Sequence, residues 1–209
     1  MENIKEILEE LKNNDFEEIE NLLNLHIHTT CSDGSLNPTE AIKFAKNKNY
    51  KYFSITDHNN FNAYKELDYK NIEGLITGIE FDCWYKGVFM HLLCYGVNPF
   101  APEMEGFLAK TKAETQKDIV RIFSNRNVEK IIKTVHNLGG ITVLAHPCCC
   151  PCLSLNWFFK QLKKVGLDGI EAFYPYKRHR AIIRFCTTKK AFDLAKKYDF
   201  LITAGTDKH

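Results

Sequence analysis

His26 and His28 stand two residues apart, and in a strand that spacing sends both imidazoles to one face, where they can share a metal ion. Asp33 follows within Ser32-Asp33-Gly34 and adds a charged oxygen. Four further groups carry the same chemistry. Thr56-Asp57-His58 closes an apolar run, and Gly78-Ile79-Glu80 is followed by His91 at a distance that suits two adjacent strands. His146 leaves another apolar run in Ala145-His146-Pro147, with proline ending the ladder. Asp207 and His209 repeat the two-residue spacing. Imidazole and carboxylate together suit divalent metal ions. Asp57 reads equally well as a hydrogen-bond partner behind a ligand or as the cap of a following helix. Any one of these groups alone is a common sequence.

The elements that must position them alternate. Strand-like apolar runs cover residues 22–27, 52–55, 75–81, 88–97, 141–144, 169–173 and 200–203. Helical patterns cover 38–48, 103–123, 128–138, 155–165 and 188–198, the first with proline in its opening turn. Such alternation implies parallel βαβ units, and the number of strands suits closure into a barrel. The reactive side chains recur where the runs end, and active sites of α/β barrels gather at the C-terminal ends of strands. Residues 1–21 read as an amphipathic helical extension, with Ile4, Ile7, Leu8 and Leu11 at helical spacing, ahead of a domain over 22–209.

Composition sets the bounds. A chain of 209 residues can bury one substantial core, and 44% hydrophobic with 26% charged residues is ordinary for a globular protein. No apolar run reaches the roughly 20 residues a bilayer requires, so no membrane partner is expected. The acidic start lacks the features of a signal peptide, and a cytoplasmic location follows as the default expectation. The formal charge of +2 hides an asymmetry, for residues 1–20 carry −6 and the remainder +8. A basic body suits an anionic substrate, as it suits a plain solvated surface. Cys148, Cys149, Cys150 and Cys152 are too crowded to pair with one another, and the expectation is reduced thiols throughout.

In order, the chain reads His-x-His-x-x-x-x-Asp-Gly, Thr-Asp-His, Gly-x-Glu with a later His, Ala-His-Pro, and Gly-Thr-Asp-x-His. It thereby resembles the PHP (polymerase and histidinol phosphatase) family over residues 22 to 209. Six of the eight histidines fall inside these motifs, leaving out His136 and His179. The resemblance implies a distorted TIM-like (β/α)7 barrel and a trinuclear site with two to three divalent ions of manganese, zinc or iron. It implies one metal on His26, His28, Glu80 and Asp207, a second on Asp33, His58 and His209, and a third on Glu80, His91 and His146. Glu80 would then bridge two ions. The implied activity is that of a phosphoesterase in which a metal-activated water attacks phosphomonoesters, or terminal phosphodiesters of nucleotides and short oligonucleotides. Alternatives are a histidinol-phosphate phosphatase, a catalytically silent scaffold module, and a protein that stores or senses metal.

The stretch Tyr174-Pro175-Tyr176-Lys177-Arg178-His179-Arg180 follows a strand and should stand on the metal rim. Arg178 and Arg180 are candidates for holding phosphate and His179 for protonating a leaving oxygen, against the alternative of a solvated loop. The cysteine tract is read as incidental or as an extra soft metal site. Only 54 residues separate His91 from His146, enough for two helices but not for the sizeable helical insertion that members with nucleotide or nucleic-acid substrates often carry, which suggests a small substrate or an open pocket. The chain ends on its last candidate ligand, His209, whereas the family pattern runs on, and truncation there is an expectation.

Overall fold

The strands close side by side in chain order in the computed structural model, which describes residues 3–12, 14–174 and 185–209. They are β1 (Leu23–Ile27), β2 (Tyr52–Ile55), β3 (Leu75–Tyr85), β4 (Val88–Tyr95), β5 (Ile141–Leu144), β6 (Gly169–Phe173) and β7 (Leu201–Ala204). β1, β2 and β3 run parallel, as do β5, β6 and β7. The two edges meet where His28 N donates to Lys208 O at 3.0 Å and Asp207 N donates to His26 O at 2.9 Å. The result is the expected distorted barrel of the TIM type.

The parallel reading fails at β4, which runs against both β3 and β5. The cause is local. Tyr85 pairs with Val88 across a two-residue turn in which Lys86 (φ 52°) and Gly87 (φ 77°) both adopt positive φ. Such a turn matches the twist of an antiparallel pair and returns the chain directly, without a crossover.

Helices cover the outside: α1 (Ile4–Leu11), α2 (Phe16–Leu22), α3 (Pro38–Asn47), α4 (Pro102–Glu105), α5 (Ala113–Gln116), α6 (Asp118–Arg121), α7 (Val128–Asn137), α8 (Leu155–Lys164) and α9 (Thr188–Lys197). α3 starts on a capping box in which Asn37 and Glu40 satisfy each other's backbone, with Pro38 in its first turn. The helix expected over 103–123 is instead three short pieces, α4 to α6. Gly106 follows the first, and Lys117 is extended (φ −118°, ψ 111°) between the other two. Arg126 Nε donates to Phe107 O at 2.6 Å, which folds this segment on itself and leaves Arg121 facing the barrel mouth.

The barrel interior and the helix undersides form one apolar cluster, to which Ile4, Ile7 and Leu8 of α1 also belong. Each such side chain contributes about 1.5–3 kcal/mol when fully buried. Ile4 packs beside Gly96, and Lys12 pairs with Asp199 at 2.6 Å just before β7, so α1 seals the end of the barrel where β7 begins. No helix among the described residues is long and apolar enough to cross a membrane.

The expectation of reduced thiols throughout is overturned at one pair. Cys148 and Cys186 form a disulfide, with Cα atoms 4.8 Å apart, while Cys31, Cys83, Cys94, Cys149, Cys150 and Cys152 are free. Crowding does forbid pairing within the tract, but the barrel brings the segment before α9 against it, and Phe185 N donates to Cys148 O at 2.8 Å.

Candidate metal centre

Strand periodicity delivers the first side chains. His26 and His28 leave the end of β1 on one face, and Gly205 lies behind His26, where a Cβ would stand 2.3 Å from that residue's own Cβ. Ring nitrogens and carboxylate oxygens then converge on a point. His26 Nε2 and His28 Nε2 are 3.1 Å apart. Glu80 Oε2 lies 3.3 and 3.1 Å from them, and Asp207 Oδ1 the same two distances. Ligands about 2.0–2.1 Å from one tetrahedral ion stand about 3.3 Å from each other. The four atoms are spaced as the shell of one ion.

Two more convergent sets adjoin it. His28, Asp33, His58 and His209 form one, and His58, Glu80 and His91 the other. His209 Nε2 is 3.4 Å from Asp33 Oδ1, and His58 Nε2 is 3.7 Å from Asp33 Oδ2. Glu80 stands in two sets, with Oε1 3.1 Å from His91 Nδ1 and 3.3 Å from His146 Nε2. His146 therefore meets Glu80 without joining the tight set around His91, and His58 stands in its place. Arg178, His179 and Arg180 lie outside the described residues.

The centre tests as a metal site on its own atoms. Asp33 Oδ1, Glu80 Oε2, Asp82 Oδ1, His58 Nδ1 and His146 Nδ1 are buried without hydrogen-bond partners, and burying such groups unsatisfied is costly. Divalent ions would satisfy the Asp33 and Glu80 oxygens, which belong to the convergent sets. Burial alone would lower the pKa of His28, but Asp207 and Glu80 raise it to about 10. His91 likewise reaches about 10 against its burial, through Glu80 and Asp82. Burial prevails at His58 and takes it down to about 3. Burial would raise Glu80 and Asp207, yet the surrounding imidazoles hold both well below the usual carboxylate range. The carboxylates thus favour a mesh of imidazolium and carboxylate around His28 and His91, while burial favours neutral His58.

Several functional neighbours escaped the sequence reading. Glu171 of β6 accepts from His26 Nδ1 at 2.9 Å, which leaves the His26 Nε2 lone pair aimed at the convergence point. Its other oxygen accepts from His146 N at 2.8 Å and holds that residue in a left-handed conformation (φ 25°, ψ 63°). Asp82, two residues beyond Glu80, is fully buried between His58 Nδ1 (3.4 Å) and His91 Nε2 (3.1 Å), and Asn59 donates to it. Spacing could have found it, because Glu80-x-Asp82 repeats the logic of His26-x-His28. Tyr174 donates to Asp207 Oδ2 at 2.6 Å. Arg121 donates to Asp33 Oδ2 at 2.5 Å. Asp57 takes the first role open to it in the sequence, a hydrogen-bond partner behind a candidate ligand, through Ser32 Oγ, which lies 3.4 Å from His28 Nδ1. It accepts from Thr29 N, Thr29 Oγ1 and Ser32 Oγ at 2.6–2.7 Å and so clamps the loop that carries Asp33.

A cavity of about 440 Å³ opens over this cluster, walled on its apolar side by Phe89, Met90, Ile122 and Tyr174. Trp84 lies beside Phe89 outside the cavity lining, its ring tilted by 54° with ring centres 5.4 Å apart, and Ile119 and Phe123 are exposed on the adjoining segment.

Comparison with known proteins agrees with this architecture. The PHP domain family pattern matches residues 24–202. A 5'-3' exoribonuclease of Haemophilus influenzae is 31% identical over 101 residues, a match that covers 47% of this chain and only 37% of that protein. A Bifidobacterium adolescentis protein provisionally described as a metal-dependent phosphoesterase superposes with a TM-score of 0.67 at 17% identity, over 90% of this chain and 87% of that one. An amidohydrolase from Chromobacterium violaceum, solved with sulfate and no metal, gives a TM-score of 0.70 at 15% identity over the same shares. At these identities the superpositions speak to the fold.

Proposed function

The chain belongs to the PHP domain family, and from that premise we propose that it is a metal-dependent phosphoesterase acting on a small phosphorylated substrate, a nucleotide or the end of a short oligonucleotide. The observation that carries this reading is the quartet of His26, His28, Glu80 and Asp207 at ligand-shell spacing, with Glu80 shared by a second set. His26, His28, Glu80 and Asp207 would hold one ion, Asp33, His58 and His209 a second, and Glu80, His91 and His146 a third, with His28 and His58 within reach of more than one. Two to three ions of manganese, zinc or iron are expected. Such ions supply positive charge for a phosphoryl group and lower the pKa of water.

The chain's own residues do the rest. Glu171 and Asp82 fix the imidazoles, and Tyr174 fixes Asp207. Phe89, Ile122 and Tyr174 shield one side of the reacting centre from water, which strengthens every electrostatic contact inside. The nucleotide preference is supported by Phe89 and Tyr174 in the cavity wall, since base–aromatic stacking tolerates any base. It is supported also by the exoribonuclease among the relatives. A volume of about 440 Å³ suits a mononucleotide-sized ligand. A silent scaffold has no need of a complete ligand set, and every position named for a ligand is filled.

The test is metal analysis of the purified protein beside a screen of phosphomonoesters and phosphodiesters with manganese, zinc or iron. Metal-stimulated release of phosphate from nucleotides supports the proposal. A protein that takes up no metal, or that turns over no phosphoester with metal bound, refutes it.

A further inference from the structure

Arg121 is placed where a surface arginine would not be. It closes the short helix α6, yet its side chain is only 6% exposed and turns inward to the cluster. Nη1 donates to Asp33 Oδ2 at 2.5 Å and to Thr115 O at 3.3 Å. Nη2 donates to Asp118 at the rim, and Nε stands 3.6 Å from Asp82 Oδ1 without a hydrogen-bond partner. Among the described residues it is the one Lys or Arg lining the cavity. Burying a guanidinium is costly unless carboxylates surround it, and here three do.

Asp33 is where its position matters. Oδ2 is taken by Arg121, while Oδ1 has no hydrogen-bond partner and faces His209 and His28. We propose that Arg121 is a placeholder cation on Asp33, which a divalent ion entering the Asp33, His58 and His209 set displaces, so that the freed guanidinium turns into the cavity and binds the substrate's phosphate. This rests on the phosphoesterase reading above. Two cations on one carboxylate repel each other, and the ion carries the larger charge. Asp118 is mostly exposed and would keep the guanidinium at the rim rather than release it to solvent. There its planar donors match two phosphate oxygens at once. Arg121 is then a phosphate-binding residue whose availability follows metal loading.

The experiment has two independent arms. In the first, metal-stripped wild type and Arg121→Gln are titrated with Mn²⁺ by calorimetry, and each loaded protein is then titrated with inorganic phosphate. Arg121→Gln should bind its weakest Mn²⁺ roughly tenfold more tightly, because the competing cation is gone. It should bind phosphate roughly tenfold more weakly. Equal Mn²⁺ affinities, or equal phosphate affinities, overturn the placeholder role. The second arm uses only wild type and stands even if the variant does not fold. Phenylglyoxal labelling, read by peptide mapping, should be slow at Arg121 without metal, faster with Mn²⁺, and slow again with Mn²⁺ and phosphate. Labelling at Arg121 that Mn²⁺ leaves unchanged or slows also overturns it. Absence of Mn²⁺ binding in wild type is the failure of the phosphoesterase reading itself.

Discussion

Glu171 accepts from His26 Nδ1 at 2.9 Å across 145 residues of sequence, and its second oxygen accepts from the backbone of His146. One carboxylate therefore sets the orientation of a candidate ligand ring on β1 and the left-handed turn after β5. The arrangement fixes the ring tautomer and raises the basicity of the nitrogen offered to a metal. Glu171→Gln should retain the fold by circular dichroism and weaken metal affinity by about 10–100-fold. Metal titration of the variant checks this, and an unchanged affinity would reduce Glu171 to a structural residue.

Glu80 is shared between sets, so its loss should damage more than one site. Glu80→Gln and His146→Ala are each expected to lower phosphoesterase turnover by more than ~10²-fold, as fits the loss of several kcal/mol of transition-state stabilisation. Bound metal, measured by mass spectrometry, should fall in Glu80→Gln. Turnover like that of wild type in Glu80→Gln would remove the residue from the centre.

Stability without metal should depend on pH in a stated direction. His28 and His91 are raised to about 10 and His146 to about 9, each against its own burial, by neighbouring carboxylates and, at His146, first by Cys149. A folded pKa above the unfolded 6.5 stabilises fully below that value and loses its contribution as pH climbs to 9–10. The depressed Glu80 and Asp207 contribute above the unfolded carboxylate range and lose this as pH falls. Thermal melts of the metal-stripped protein should therefore decline from about pH 6.5 to pH 10. Metal binding should release protons at neutral pH, so affinity should increase with pH over the same window. Melts of the stripped protein that rise with pH would contradict the imidazolium–carboxylate mesh.

Gly205 touches no proposed ligand atom, yet it should matter as much as one. A Cβ there would stand 2.3 Å from His26 Cβ and 2.4 Å from Glu171 Oε1, and the strand backbone cannot give that much room. Gly205→Ala should push Glu171 off His26, lower thermal stability, and weaken metal binding to the level of Glu171→Gln. Combining the two substitutions should then add little in metal affinity, because they break the same contact. Full additivity would place the effect of Gly205 elsewhere.

The candidate ligands and the alternation of strands and helices were readable from the chain itself. The strand bounds at Tyr52–Ile55, Ile141–Leu144 and Gly169–Phe173 coincide with the apolar runs. Two-residue spacing is a local property of an extended backbone, and few residue types bind metals, so His26-x-His28 and Asp207-x-His209 declare themselves. The reversal of β4 was partly visible, since Lys86-Gly87 is a turn signal, but the run alone does not state direction. What the tertiary structure decided are pairings across the barrel: Glu171 behind His26, Asp82 between two imidazoles, Arg121 on Asp33, Cys148 bonded to Cys186. An acid on a strand, an arginine on a helical pattern and a distant cysteine look the same in sequence whether they face solvent or a partner. Their roles arise only when closure of the sheet removes water and leaves one another as the available counter-charges.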